Sequence, residues 1–164
     1  MTQVLLFNCP NRHWLHFANP LHVVATHSID GVVKSLRLIE ELVNHERLFA
    51  AGFISYEAAH AFDRALTTHP LTEFPLLWFG LYREPQIVPQ LTAVAESTYH
   101  LGEWQPTVSH SEHRENFDVI KRAIARGDTY QVNYTMRLRS SFSGNPHAFF
   151  VDLLPAQRAD YAAY

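Results

Sequence analysis

The most regular alternation of apolar and polar residues runs from Gly127 to Phe142 and reads GDTYQVNYTMRLRSSF. Successive side chains of an extended strand point to opposite sides, so the pattern predicts a strand with one buried side. The apolar side consists of Tyr130, Val132, Tyr134, Met136 and Leu138. The other side carries Gln131, Asn133 and Thr135, which face either water or a ligand.

Two stretches follow the three- and four-residue spacing of an amphipathic helix. The first starts at one of the capping residue types Ser28 and Asp30 and ends near His45. Its apolar residues are Ile29, Val32, Val33, Leu36, Ile39, Leu42 and Val43. The second starts at a capping box of Ser109 and Glu112 and ends at Gly127 in a left-handed turn. Its expected buried stripe is Phe117, Ile120 and Ile124.

Further elements are predicted from apolar runs and turn residues. The expected strands cover residues 4–7, 21–25, 48–56, 76–82 and 98–101, and short helices are expected over residues 57–66 and 146–154, the latter capped by Asn145 and ended by Pro155. Gly52 lies inside a predicted strand, where glycine often marks a bulge or a close approach of the backbone. Periodicity therefore predicts a mixed α and β protein. The apolar ending at Tyr164 favours the front part of a longer protein, because termini are usually exposed and loosely held.

Composition narrows the class of protein. The 164 residues are 47% hydrophobic, which is typical of a globular domain. The net charge of −3 and the scattered basic residues argue against a nucleic-acid partner, and no apolar run approaches the roughly 20 residues of a membrane span. The lone Cys9 and the absence of a signal-peptide pattern favour a cytoplasmic protein. The eleven His residues show no metal-site spacing, so no metal site is predicted.

Five segments, in order, carry a resemblance to a known family. They are FANPLHVVAT (17–26), AGFISYEAAHAFD (51–63), FPLLWFGLYREP (74–85), GDTYQVNYTMRL (127–138) and QRADYAAY (157–164). Together they resemble the aminodeoxychorismate synthase component I family, the para-aminobenzoate synthases among the chorismate-binding enzymes. The resemblance covers nearly the whole chain but only the N-terminal part of the family's usual length.

The resemblance implies an α+β fold like that of anthranilate synthase component I, with antiparallel, sandwich-like sheets and helices packed outside. Residues 1–100 would form the N-terminal lobe, and residues 110–164 would begin an incomplete chorismate-binding lobe. The family converts chorismate to 4-amino-4-deoxychorismate with Mg²⁺ and with ammonia from a glutamine amidotransferase subunit. The Mg²⁺ ligands lie in the family's C-terminal portion, so this chain alone is expected to be inactive. Gln131, Asn133 and Thr135 are the candidates for lining the substrate cavity.

Some members of the family bind tryptophan in the N-terminal sandwich, and the matching candidates here are Leu6, Asn8, Asp160 and Tyr161. Asn8 stands where the family has Ser, and both prolines of the second motif are absent, so weak or no tryptophan binding is expected. Two other functions stay open. Anthranilate synthase component I is disfavoured by Asn133, and a non-catalytic module would only bind a small molecule or a partner.

Overall fold

The computed structural model describes residues 3–70, 72–92, 98–157 and 159–164. The chain divides into two compact units, which comprise residues 1–92 with 150–164, and residues 93–149. The lobes predicted from the resemblance, residues 1–100 and 110–164, stay a prediction. None of the helices in the described ranges is both long and apolar enough to cross a membrane.

Among its described residues before residue 92, the first unit has six strands and one α-helix. They are β1 (Gln3–Asn8), β2 (His13–Ala18), β3 (His22–Thr26), α1 (Ile29–Glu46), β4 (Phe49–Ile54), β5 (Leu77–Tyr82) and β6 (Gln86–Val88). These strands form two antiparallel sheets, one ordered β1-β2-β6 and the other β3-β5-β4. Short 3-10 turns follow β1 at Cys9–Asn11 and β4 at Tyr56–Ala61. Mixed α and β structure with antiparallel sheets is thus confirmed.

The helix α1 covers one face of the sheet β3-β5-β4. Val32 and Ile39 of the helix are buried against Leu77 and Leu81 of β5. Six of the seven predicted apolar residues of the helix, all except Val33, lie in or beside this cluster, which confirms the helical spacing. Burying each such aliphatic side chain contributes about 1.5–3 kcal/mol relative to leaving it exposed, so this contact is a main source of stability for the unit.

The opposite face of the same sheet packs against the other sheet. Phe17 of β2 contacts Tyr82 of β5, with ring centroids 5.2 Å apart, and Ala51 of β4 completes the buried cluster. Burial raises the pKa of the Tyr82 phenol by desolvation. Two antiparallel sheets of the first unit therefore face each other across an apolar layer. A fold like that of anthranilate synthase component I stays a prediction.

Gly52 lies in the middle of β4, opposite Phe79 of β5. A Cβ atom at this position would overlap the carbonyl oxygen of Trp78 and lie 2.6 Å from the Cα of Phe79. The close backbone approach predicted from this glycine is confirmed.

The second unit begins with short strands and continues through two helices. Its elements are β7 (Tyr99–Leu101), β8 (Gln105–Pro106), α2 (His110–Arg126), β9 (Leu138–Arg139), β10 (Phe142–Gly144) and the start of α3 (Pro146–Gln157). β7 pairs with β10, and β8 pairs with β9. Tyr99, Phe142 and Phe149 form an aromatic cluster with ring centroids 5.2 to 6.3 Å apart.

The ends of α2 confirm the predicted signals. The Ser109 side chain accepts from the Glu112 N–H, and the Glu112 carboxylate accepts from the Ser109 N–H at 2.7 Å. Gly127 follows the helix in the left-handed conformation, with φ 78°. The predicted cap at Asn145 is also confirmed, since its side-chain oxygen accepts from the N–H groups of His147 and Ala148.

Three predictions are wrong. Of the alternating segment, only Leu138, Arg139 and Phe142 belong to strands. Its apolar residues Tyr130, Val132, Met136 and Leu138 are exposed rather than buried. The stripe of α2 is not buried either: Phe117 and Ile124 are exposed, and every residue of this fully described helix retains access to solvent. Finally, α3 continues past Pro155 to Gln157. The first two share a cause: an apolar face is buried only where another element packs on it.

Candidate functional site

The three predicted substrate-cavity residues lie in the segment that leaves α2 at Gly127. Gln131, Asn133 and Thr135 are all exposed. The Gln131 Nε2 donates a hydrogen bond to the Asn133 Oδ1 at 3.3 Å, which brings these two side chains together as the alternation predicted. No contact of the Thr135 side chain with this pair is recorded within the described residues, so we define Gln131 and Asn133 as the amide pair.

The amide pair offers both donors and acceptors. Apart from this contact, the Asn133 Nδ2 and the Gln131 Oε1 form no hydrogen bond with the residues that the structure describes, so both atoms can bind a ligand carboxylate or hydroxyl. The backbone on the N-terminal side is held by Thr129, whose hydroxyl donates to the Gln131 carbonyl at 3.1 Å. Farther back, the Arg126 guanidinium donates to the Asp128 carboxylate at 2.7 Å. The pair therefore follows a turn that local hydrogen bonds hold.

A second candidate site is a cleft of about 750 Å³ in the first unit. Its floor is aromatic: the Trp14 ring lies 5.2 Å from Phe7 and 5.7 Å from Phe150. Phe150 in turn lies 5.3 Å from Tyr164. The second half of α3 thus packs on the face of the sheet β1-β2-β6 that points away from the other sheet, and the cleft opens beside this contact.

Charged groups stand at the rim of the cleft. Arg12, in the connection between β1 and β2, has a left-handed backbone with φ 51°, and Asp160 lies on the chain that follows α3. Non-glycine residues adopt this conformation rarely, so the tight turn brings the Arg12 side chain to the rim at some conformational cost. An aromatic floor with one cationic and one anionic group at the rim suits a small aromatic ligand that carries both charges.

The predicted tryptophan-pocket residues divide between one face of β1 and the end of the chain. Asp160 and Tyr161 line the cleft, and Phe7 lines it from β1. Leu6 and Asn8, the predicted residues of β1, lie on the opposite face of this strand from Phe7. Leu6 packs in the apolar layer between the two sheets. Arg158 of the second motif lies outside the described residues. The roles of all four candidates stay predictions.

Sequence reasoning missed Arg12, Trp14 and Phe150 at this cleft. Trp14 lies on β2, a strand that was not predicted. Phe150 lies on α3, where a uniformly apolar sequence indicates no preferred face. The chain end that closes the cleft is held by pairing with β1, where the Leu5 N–H donates to the Tyr164 carbonyl at 2.7 Å. Only the folded backbone brings these segments together.

Acidic, Cys and His side chains do not form a metal site among the described residues. Across residues 3–70, 72–92, 98–157 and 159–164, no group of three or more such side chains converges to hold a metal ion. These side chains by themselves therefore do not fit Mg²⁺.

The family described as chorismate binding enzyme matches residues 2–164. Three relatives carry the name aminodeoxychorismate synthase component 1. The relative from Salmonella typhimurium is 33% identical over 124 residues, which are 75% of this chain and 22% of that protein. The relative from Escherichia coli is 31% identical over 63 residues, 38% of this chain and 14% of that protein.

The relative from Klebsiella aerogenes is 32% identical over 74 residues, 44% of this chain and 16% of that protein. The chain thus spans less than a quarter of the length of these relatives. No solved structure matches the chain.

Proposed function

The chain belongs to the family of chorismate binding enzymes, and from that premise we propose that it is the N-terminal part of an aminodeoxychorismate synthase component 1. The observation that carries the proposal is the family match along residues 2–164, joined by three relatives that all bear this name. The name component 1 further supports a second component as partner, which we propose is a glutamine amidotransferase in the cytoplasm.

The proposed reaction exchanges the ring hydroxyl of chorismate for an amino group. Ammonia forms the new C–N bond, the C–O bond breaks, and the hydroxyl leaves as water with a proton from the ammonia. Mg²⁺, when bound by the complete enzyme, would stabilise negative charge on the leaving oxygen or a carboxylate. The part proposed for this chain is binding: the amide pair donates to and accepts from the polar groups of chorismate.

The complete gene product is the material for the test. It is incubated with chorismate, Mg²⁺ and an ammonium salt, and the products are separated by chromatography. We expect 4-amino-4-deoxychorismate without release of pyruvate. Formation of anthranilate with pyruvate would instead favour anthranilate synthase, and unchanged chorismate would favour a non-catalytic module. The 164-residue chain is the matched control and should leave chorismate unchanged.

A substitution tests the part assigned to the amide pair. Gln131→Ala in the complete gene product should raise the KM for chorismate or lower turnover, because an exposed amide that binds substrate is removed without disturbing the core. Thr135→Ala, on the same predicted side but without contact to the amide pair, is the comparison. Unchanged kinetics in Gln131→Ala would make the amide pair structural only.

The cleft favours a second candidate function, binding of a small aromatic ligand. Tryptophan is the first ligand to test by titration calorimetry of the 164-residue chain. We expect no heat of binding, because Asn8 replaces Ser and Asp160 replaces a proline of the resembling motif. Heat that disappears in Arg12→Gln would contradict this expectation and assign the cleft to an amino acid.

A further inference from the structure

Tyr134 differs from the other apolar residues of the alternating segment. Tyr130, Val132, Met136 and Leu138 are 44 to 92% exposed, whereas Tyr134 is partly buried. Its hydroxyl accepts a hydrogen bond from the Asn116 Nδ2 at 3.1 Å. Its ring lies 5.2 Å from the His113 ring at an angle of 52°. We call these three residues the tyrosine clamp.

The helical side of the clamp is itself well held. His113 and Asn116 are three residues apart and share one face of α2. The capping box of Ser109 and Glu112 fixes the first turn directly before them. Hydrogen bonds with Ser109, first the one from its backbone N–H, lower the pKa of the Glu112 carboxyl group. Tyr134 is therefore attached to a helical turn whose geometry is determined by its own sequence.

The segment side of the clamp carries the amide pair. Asn133 precedes Tyr134, and Gln131 is hydrogen-bonded to Asn133. Because Asn133 and Tyr134 are consecutive residues, the backbone conformation that points the Tyr134 side chain to the helix also restricts the direction of the Asn133 side chain. The orientation of Tyr134 thus decides which way the Asn133 side chain faces, and through Asn133 it affects Gln131.

We propose that Tyr134 is a positioning residue: it holds the segment on α2 so that the amide pair faces a ligand. The identification of the ligand as chorismate rests on the proposed function, whereas the effect of Tyr134 on the orientation of the amide pair does not. The alternative is that Tyr134 only adds packing contacts to the second unit and has no effect on the amide pair. The two differ in what the hydroxyl alone does, since Tyr134→Phe keeps the ring and removes the hydrogen bond.

The first experiment follows the side-chain amide signals of Gln131, Asn133 and Asn116 by NMR in the 164-residue chain. Tyr134→Phe should shift all three signals and speed backbone hydrogen exchange across residues 131–135 by about fivefold, the effect of losing one hydrogen bond of ordinary net strength. Asn116→Ala should reproduce the changes at Gln131 and Asn133. Tyr130→Phe, at a side chain that is 92% exposed, is the matched control and should change none of these signals.

The inference is overturned if Tyr134→Phe leaves the Gln131 and Asn133 signals and their exchange as unchanged as Tyr130→Phe does. A second experiment titrates chorismate and follows the same signals. The expected result is binding by the wild-type protein and about fivefold weaker binding by Tyr134→Phe, with an unchanged urea midpoint. Equal affinity of the two proteins would also overturn it. This titration uses the complete gene product, because the 164-residue chain is proposed to hold only the start of the chorismate-binding lobe. Failure of that wild-type protein to respond to chorismate counts against the proposed function, and the first experiment then decides the role of Tyr134 on its own.

Discussion

Replacing Gly52 with alanine should destabilise the first unit, although alanine is the better strand residue. Exchanging glycine for alanine inside a strand normally stabilises by roughly 0.5–1 kcal/mol, because the glycine chain loses more conformational entropy on folding. Here the new Cβ would overlap the carbonyl oxygen of Trp78 and lie 2.6 Å from the Cα of Phe79. Both atoms belong to the backbone of the central strand β5, so no side-chain rotation relieves the overlap.

The magnitude follows from these opposing terms. Overpacking costs about 1–3 kcal/mol where side chains can adjust, so a backbone overlap belongs at or above the upper value. Subtracting the entropic gain leaves a net loss of about 2–3 kcal/mol. With an m-value of roughly 2–3 kcal/mol per molar urea, the midpoint should fall by about 1 M.

The assay is urea unfolding followed by tryptophan fluorescence, to which Trp14 and Trp78 of the first unit contribute. Ala50→Gly is the control, because Ala50 lies on the same strand and the same side as Gly52. It should lose roughly 0.5–1 kcal/mol through chain entropy. A midpoint for Gly52→Ala at or above that of the wild type would refute the reasoning, since it would mean that β4 and β5 are not held this close together.

Three further predictions concern other parts of the chain. Glu112→Gln should remove a pH dependence of the stability of α2. Hydrogen bonds with Ser109 lower the pKa of Glu112 in the folded state, so the stabilisation by Glu112 is present above its unfolded pKa and is lost as pH falls through its folded pKa. Circular dichroism from neutral to acidic pH should therefore show a smaller loss of helix in the variant. Gly127→Ala should cost about 1 kcal/mol through its positive φ alone, because no atom of the described residues lies within 4 Å of the added Cβ; an unchanged thermal midpoint would contradict the left-handed cap. Phe150→Ala should cost about 3–5 kcal/mol if the site is as closely packed as a core and less in proportion to its exposure, and it should shift Trp14 emission to the red by admitting water; unshifted emission would argue against the ring contact.

Features that depend on neighbouring residues in the chain could be predicted from the sequence. The capping box at Ser109, the left-handed turn at Gly127 and the cap at Asn145 each involve residues at most three or four positions apart. The helix α1 was predicted for the same reason, since its spacing shows both its face and its length. Gly52 is the instructive strand case: a residue type that weakens a strand is retained where another backbone approaches closely.

Features that depend on distant residues could not be predicted. Alternation determines which side chains share a side, and the bond between Gln131 and Asn133 agrees with it. Alternation does not supply a partner strand, and hydrogen bonds to a neighbouring strand are what convert an extended segment into sheet. The cleft is the extreme case, because Phe7 and Tyr161 approach it from opposite ends of the chain.

The residues that carry the strongest family resemblance are also those that the packing of this chain explains least. Tyr130 is 92% exposed and Val132 44% exposed, so burial within these 164 residues gives no reason for apolar side chains at those positions. The alternation suggested that a buried opposite side orients the amide pair, and the exposure of Tyr130 and Val132 rules this out. The orientation of the pair depends instead on the chemistry of the amides and on the contact of Tyr134 with Asn116 and His113 of α2. The hydrogen bond between Asn116 and the Tyr134 hydroxyl is weak enough for the amide pair to adapt to a ligand. Removing the hydroxyl oxygen of Tyr134 should nevertheless abolish the orientation of the pair.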